Sequence, residues 1–241
     1  MSGIKLTVLG NKGGYPGLYE ACSGYLVETN KAKILLDCGS GVYQKLIQRI
    51  KLEELDAIVL SHLHSDHISD VLVLRYALQI KKLPKLKLFM PEKPEAESFI
   101  LKNTAEFDIT IIKENEKHKI KDVVLEFAKV KHNVVSYATK IKTANNVVVY
   151  TGDTEYTPVI ERFAKYCDLL VCDAAFNEDT YFKGAPHASA KQAAMMAKEA
   201  EAAKLLLTHF MPDANLERHL MDAKGEFKFT SMAKPDLTIN V

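Results

Sequence analysis

The segment Ser61–Ser69, SHLHSDHIS, places His62, His64, Asp66 and His67 within six consecutive positions of a chain that has eight histidines in all. Four strong metal donors packed so closely must be held by something rigid, and the flanking residues supply it. LDAIVLS (55–61) is a short apolar run that reads as a buried strand ending at the cluster. After the cluster, Ile68, Val71, Leu72, Arg75, Tyr76, Leu78 and Gln79 recur at helical spacing with a mainly apolar face, predicting a helix to about Lys81. In an extended segment, side chains at i and i+2 point the same way, so His62 and His64 address one ion. Asp66 and His67, at the helix start, point elsewhere. Closing all four around one tetrahedral ion would strain the loop, and structural zinc sites are usually spaced more widely and lean on cysteine. The pattern is that of two donor pairs serving two ions, and it calls for more donors downstream.

Those donors are present at the ends of other apolar runs. His132 follows the strand-like KIKDVVLEFAKVKH, Asp153 follows VVVYTG, and His209 follows LLLT. A donor at a strand end is fixed by the sheet behind it, as a metal site requires. Any one of the three alone reads equally well as a satisfied polar cap. Beside the cluster, all three together favour a site. His118, among lysines, reads as a solvated turn residue, and His219, in LERHLMD, as helix surface.

Short strands dominate the first half of the chain: IKLTVLG (4–10), YLVE (25–28) and KILLDCG (33–39), with LPKLKLFM resuming strand character after the helix. Strand-like alternation runs from Lys119 to Val149, with ANN as a hairpin turn. Thr157 and Pro158 open a helix, DLLVCDAAF is a strand, and Ser189 and Gln192 have the spacing of a capping box before an alanine-rich helix. KLLLTHF closes the series as a buried strand. This order suits two packed sheets with helices outside. No repeat or linker interrupts it, so residues 1–241 read as one domain.

Composition excludes more than it identifies. With 32 basic against 31 acidic residues, no global field points to nucleic acid or an anionic membrane. Cys22, Cys38, Cys167 and Cys172 form no C-x-x-C pair and read as free thiols in a reducing, cytoplasmic compartment. MSGIKLTVLG shows no export signal, and no apolar run approaches a membrane span.

SHLHSDH resembles the H-x-H-x-D-H signature of the metallo-β-lactamase superfamily, and the other landmarks follow in that family's order: LLDCGSG upstream, then His132, Asp153 and His209. The resemblance implies an α/β (α+β) fold, a four-layer αββα sandwich. It implies that His62, His64 and His132 hold one ion, Asp66, His67 and His209 a second, and that Asp153 bridges them, with Asp37 orienting ligands rather than binding metal. Two Zn2+ per chain are expected, with Mn2+ or Fe compatible with the same donors. LGNKGGYPG and PHASAKQAAMMAKEAEAAKLLLTHF are most similar to the ribonuclease Z and phosphodiesterase branch, in which His187 would join the active site.

That branch implies a dinuclear hydrolase acting on a cyclic nucleotide, a small phosphodiester or an RNA end through a metal-bridging hydroxide. Asp66 would take the water's remaining proton, and His187 would stabilise developing charge or protonate the leaving oxygen. The helix N-terminus after the cluster suits an anionic substrate. A lactonase or thioesterase on the same site is the alternative enzyme, and a non-catalytic metal- or RNA-binding module the alternative of another class. A homodimer is expected from the resemblance alone. Two departures stand out. Ser69-Asp70 replaces the family's usual Gly-Gly, so that Asp70 would narrow or recharge the rim. Only 21 positions separate His132 from Asp153, too few for the long arm of tRNA-processing members. Residues 11–24, 91–108 and 210–226 are read as the loops that set the substrate.

Overall fold

The computed structural model describes residues 3–241. Along the chain run β1 (Lys5–Gly10), β2 (Gly24–Glu28), β3 (Lys33–Leu36), α1 (Val42–Ile47), β4 (Ala57–Val59), α2 (Ser65–Ile80), β5 (Leu86–Met90), α3 (Glu95–Lys102) and β6 (Phe107–Ile111). The second half contains β7 (Lys117–Ile120), β8 (Val123–Val130), β9 (Ser136–Lys142), β10 (Val147–Tyr150), α4 (Pro158–Phe163), β11 (Leu169–Asp173), α5 (Ala190–Glu199) and β12 (Leu205–Thr208). It ends with α6 (Leu216–Glu226), β13 (Thr230–Met232) and β14 (Thr238–Asn240).

These strands form two seven-stranded mixed sheets. One has the order β14-β1-β2-β3-β4-β5-β6 and the other β13-β12-β11-β10-β9-β8-β7. Period-two alternation divides the first sheet's side chains between two cores. Leu6, Val8, Tyr25, Val27, Ile34 and Leu36 face the second sheet, while Leu9, Leu26, Leu35 and Ile58 pack with Val42 and Leu46 of α1 and Val71, Leu74 and Leu78 of α2. On the far side, the small residues Ala193, Ala194 and Ala197 of α5 pack into the core of the second sheet. The result is the αββα sandwich.

The parallel strands explain where a site can form. Strands β3 and β4 run parallel, as do β10, β11 and β12, and parallel neighbours end on the same edge. Such strands are buried on both faces, so β11 (LLVCD) and β12 (LLLT) are apolar until the residue at which they emerge. At that edge β3 delivers Asp37, β4 delivers His62, β10 delivers Asp153, β11 ends at Asp173 and β12 is followed by His209.

Several local expectations change. The alternating run from Lys119 is broken at Lys121, whose φ of 53° turns β7 back on β8 as a hairpin. His118 therefore lies in a strand, its ring centroid 5.2 Å from Phe89 and 5.9 Å from Phe127, rather than in a solvated turn. His219 lies on α6 as expected, but on its inner face. It is 1% exposed, its Nδ1 donates to the Asn215 carbonyl at 2.8 Å, and its ring meets Phe210. The segments 91–108 and 210–226 are not simple loops, since they contain α3 and α6. Among the described residues no helix is long and apolar enough to cross a membrane.

Candidate metal centre

The structure brings His62, His64, Asp66, His67, His132, Asp153 and His209 to one edge of the sandwich as two overlapping groups. His62, His64, His132 and Asp153 form one, and Asp66, His67, His209 and Asp153 the other, each with donor atoms within 4.8 Å of one another. In the first, His62 Nε2 lies 2.9 Å and His132 Nε2 3.3 Å from His64 Nδ1, and Asp153 Oδ2 lies 3.5 Å from His62 Nε2. In the second, His67 Nε2 lies 3.4 Å from Asp66 Oδ2 and 3.3 Å from Asp153 Oδ1. Asp153 thus turns one oxygen to each group.

Hydrogen bonds behind the rings set which nitrogen faces inward. His67 Nδ1 donates to Asp37 Oδ2 at 2.7 Å, and His132 Nδ1 donates to the Pro186 carbonyl at 2.8 Å. Ser61 Oγ donates to Asp37 at 2.8 Å, so it accepts from His62 Nδ1 at 3.1 Å. Each bond consumes the Nδ1 proton and leaves Nε2 with a free lone pair. His64 instead turns Nδ1 inward. His209 sits with Nδ1 3.1 Å from Ser23 Oγ and 3.2 Å from Asp153 Oδ1, and Nε2 3.9 Å from Asp66 Oδ2.

Protonation follows the same plan. Burial, reinforced by the neighbouring histidines, holds His62 and His64 below the ordinary histidine range, and burial does the same for His132. Burial alone would raise Asp153, but His209, His67 and His62 outweigh it and keep the carboxylate ionised. For Asp66 the burial penalty is likewise overcome, mainly by His67. Burial pulls His67 down, yet the Asp153 and Asp37 carboxylates prevail and raise it. His62, His64 and His132 are thus neutral donors facing the ionised carboxylates of Asp66 and Asp153, as a metal site requires, whereas His67 holds a proton that a bound cation would displace.

Two atoms test the fit to a cation. His67 Nε2 and Asp153 Oδ1 are buried without a hydrogen-bond partner, and they lie 3.3 Å apart. A buried polar atom without a hydrogen-bond partner costs ~1–3 kcal/mol, so two aimed at one point make sense where a cation sits between them. The donor set fits.

Asp37 has the orienting role expected of it. Fully buried, it accepts from His67, Ser61 Oγ, the Ser61 backbone N–H at 2.7 Å and the Tyr150 hydroxyl at 2.6 Å. Its φ is 54° and that of His209 is 62°, a left-handed backbone of the kind that clusters at functional sites. Asp70 departs from expectation. Its Oδ2 accepts from the Tyr43 backbone N–H at 2.9 Å, capping α1, whose own Gly41 offers no side chain for the purpose. It serves a helix, not the rim.

His187 lies beside the centre, its ring stacked 5.0 Å from that of His209. Its Nδ1 donates to Asp173 Oδ2 at 2.8 Å and lies 3.8 Å from Asp153 Oδ2. Burial opposes its charge, but Asp173 and then Asp153 raise its pKa to about 9. Asp173, buried at the end of β11 and also accepting from the Thr154 backbone N–H, is missing from the donors inferred from sequence. It carried the same signal as His209, a polar residue closing an apolar strand. Gly13 and Gly14 close the opposite side. Gly14 N–H donates to Asp66 Oδ2 at 2.7 Å, and a Cβ on Gly13 would lie 2.6 Å from His209 Nε2.

Comparison with known proteins agrees with this architecture. Residues 32–210 match the model of the beta-lactamase superfamily domain. The probable metallo-hydrolase YhfI of Bacillus subtilis is 36% identical over 212 residues, covering 86% of each chain. The crystal structure of YhfI superposes with a TM-score of 0.94 at 31% identity, over 99% of this chain and 100% of that one. Ribonuclease Z of Methanopyrus kandleri is 22% identical over 99% of this chain and 98% of its own. A diphosphatase of the PhnP family shares the fold, with a TM-score of 0.76 at 18% identity over 98% and 97% of the two chains. The chain belongs to the beta-lactamase superfamily and is a metal-dependent hydrolase of that family.

Proposed function

We propose that the chain is a dinuclear phosphodiesterase acting on a cyclic nucleotide, another small phosphodiester or an RNA end. The observation that carries this reading is Asp153, whose two oxygens face two separate donor groups. His62, His64 and His132 would hold one ion and Asp66, His67 and His209 the other, with Asp153 shared. Zinc is favoured by five imidazoles, and manganese or iron suits the same set. Two such ions, when bound, supply Lewis acidity toward a phosphate oxygen and make water acidic near neutral pH.

The chain's own groups divide the remaining work. Asp66 is ionised and steadied by Gly14 N–H, so its carboxylate can receive the proton of the attacking water. His187 donates Nδ1–H to Asp173, leaving Nε2 to protonate the departing oxygen. The N-terminus of α2, capped by no side chain, adds a partial positive charge beside the cluster. Ribonuclease Z and diphosphatase among the similar proteins support phosphorus–oxygen chemistry. Residues 136–150 form only the β9–β10 hairpin, with no arm to clasp a tRNA, which favours a small substrate.

The test is turnover of bis-p-nitrophenyl phosphate, a cyclic nucleotide panel, short RNA, unprocessed tRNA, lactones and thioesters by metal-loaded protein. Phosphodiester cleavage is expected. Activity on esters alone would establish the lactonase or thioesterase reading, and cleavage of tRNA precursors would overturn the preference for a small substrate. RNA binding by an inert, metal-loaded protein would establish a non-catalytic module.

A further inference from the structure

The segment between β1 and β2 carries Gly13 and Gly14 to the metal centre on a loop with little apolar anchorage of its own. Residues 13–20, GGYPGLYE, include three glycines, and the large side chains Tyr15, Leu18 and Tyr19 are exposed. Backbone bonds fix only the base of the loop. Lys12 N–H donates to the Ala21 carbonyl at 3.2 Å, and Gly13 N–H donates to the Phe210 carbonyl at 2.9 Å. Above them stands one charged side chain. Lys12 Nζ lies 3.2 Å from Glu20 Oε2 and donates to the Pro212 carbonyl at 3.4 Å, and the Lys12 side chain is only 6% exposed. Desolvation offsets most of what a buried ion pair gains, and an apolar side chain of similar volume often stabilises a fold equally well. What the pair adds is register. Lys12 opens the loop, Glu20 closes it, and Pro212 belongs to the segment that follows His209.

We infer that Lys12 is a positioning residue for the second donor group: its buried ammonium ties both ends of the loop to the segment after His209 and so sets the Gly13–Gly14 backbone between His209 and Asp66. Both contacts of that backbone fall on this one group. A Cβ on Gly13 would meet His209 Nε2, and Gly14 N–H donates to Asp66 Oδ2 at 2.7 Å. Among the described residues no hydrogen bond joins residues 12–20 to His62, His64 or His132, which are held instead by Ser61, by one another and by Pro186. The effect is therefore selective. Loosening Lys12 loosens the grip of Asp66 and His209 and leaves the first group as it was. The inference rests on the two-ion reading and adds to it a residue that governs one ion alone.

Two measurements on the zinc-loaded full chain test it without turnover. Lys12→Met, which keeps the side-chain length and removes the charge, should speed amide exchange at Gly13 and Gly14 about tenfold, as read by NMR. In competition with a chelator, one zinc equivalent should be released about tenfold more readily and the other as in the wild type. Glu20→Gln, at a partly exposed position where folding is not at stake, should move both readouts in the same direction. Lys12→Arg, which keeps the cation, should recover most of what Lys12→Met loses. Unchanged exchange in both the Lys12→Met and Glu20→Gln proteins, or equal weakening of both zinc equivalents, would overturn the assignment. Faster exchange in the variants, with a single zinc equivalent in the wild type, would refute the two-ion reading and keep Lys12 as the residue that sets Gly13 and Gly14. Two equivalents with unchanged exchange would do the reverse.

Discussion

At the scale of single residues, the donors and the groups that aim them behave differently under substitution. Asp37 accepts four hydrogen bonds, one of which orients His67. Asp37→Asn would place an N–H among donors, and metal affinity should fall by about 10–100-fold, as read by competition with a chelator. Asp173 acts through His187. Asp173→Asn should lower kcat by about 10–100-fold with KM nearly unchanged, and Asp173→Glu should restore part of the loss. A KM effect of the same size would refute the positioning role. The seven candidate donors that the structure gathers into two groups were legible in the sequence, because donor chemistry is a property of the side chain and strand ends announce themselves as apolar runs that stop, whereas Asp37 and His187 were picked out only by the family resemblance. The supporting contacts were not legible. Tyr150 reads as one more strand residue, and only the packing of β10 against β3 and β4 brings its hydroxyl to Asp37. Asp70 was legible as an anomaly but not as a cap, since its target, Tyr43 N–H, lies 27 positions away.

At the scale of elements, local signals were reliable where the stabilising bonds are local. Ser189 and Gln192 do form a capping box, and the Thr157 side chain accepts from Val159 N–H. The six-residue α1 has no such signature. Its N-cap is Gly41, and its stabilising partner arrives from α2 as Asp70. Asp70→Ala should therefore cost about 1 kcal/mol, the size of an N-cap interaction, lowering Tm by about 2–4 °C with metal content unchanged. Loss of metal together with stability would return Asp70 to the rim. The strand β14 was equally hidden. Three residues at the chain's end become a strand only because Thr238–Asn240 pair with Lys5–Thr7 at the other end.

At the scale of the whole molecule, the architecture was legible as two sheets with helices outside, while strand order was not, since order depends on pairings between distant segments. The site ties those sheets together. Its donors form groups that are repulsive or unpaired when empty, so ions that bind only the folded chain should stabilise it by roughly 4 kcal/mol at a thousandfold excess over Kd. Stripping with a chelator should lower Tm by on the order of 10 °C, reversed by adding metal back. Mass spectrometry should find two metal equivalents per chain, and fewer in Asp153→Ala. One equivalent in the wild type would refute the shared-carboxylate arrangement.

The division of the donors also sets a timetable. His62, His64, Asp66 and His67 come from the strand-to-helix junction of the first sheet, and His132, Asp153 and His209 from strand ends of the second. A nascent chain that has made only its first half carries four donors, Asp66 among them, but lacks Asp153, the carboxylate the two groups share. High-affinity metal uptake would have to wait until the halves have docked and β12 has been synthesised, so that bound metal would act as a late inspector of assembly. In refolding experiments, tight metal capture should lag behind the burial of Tyr25 and Tyr150, whose rings meet 4.9 Å apart between the two sheets.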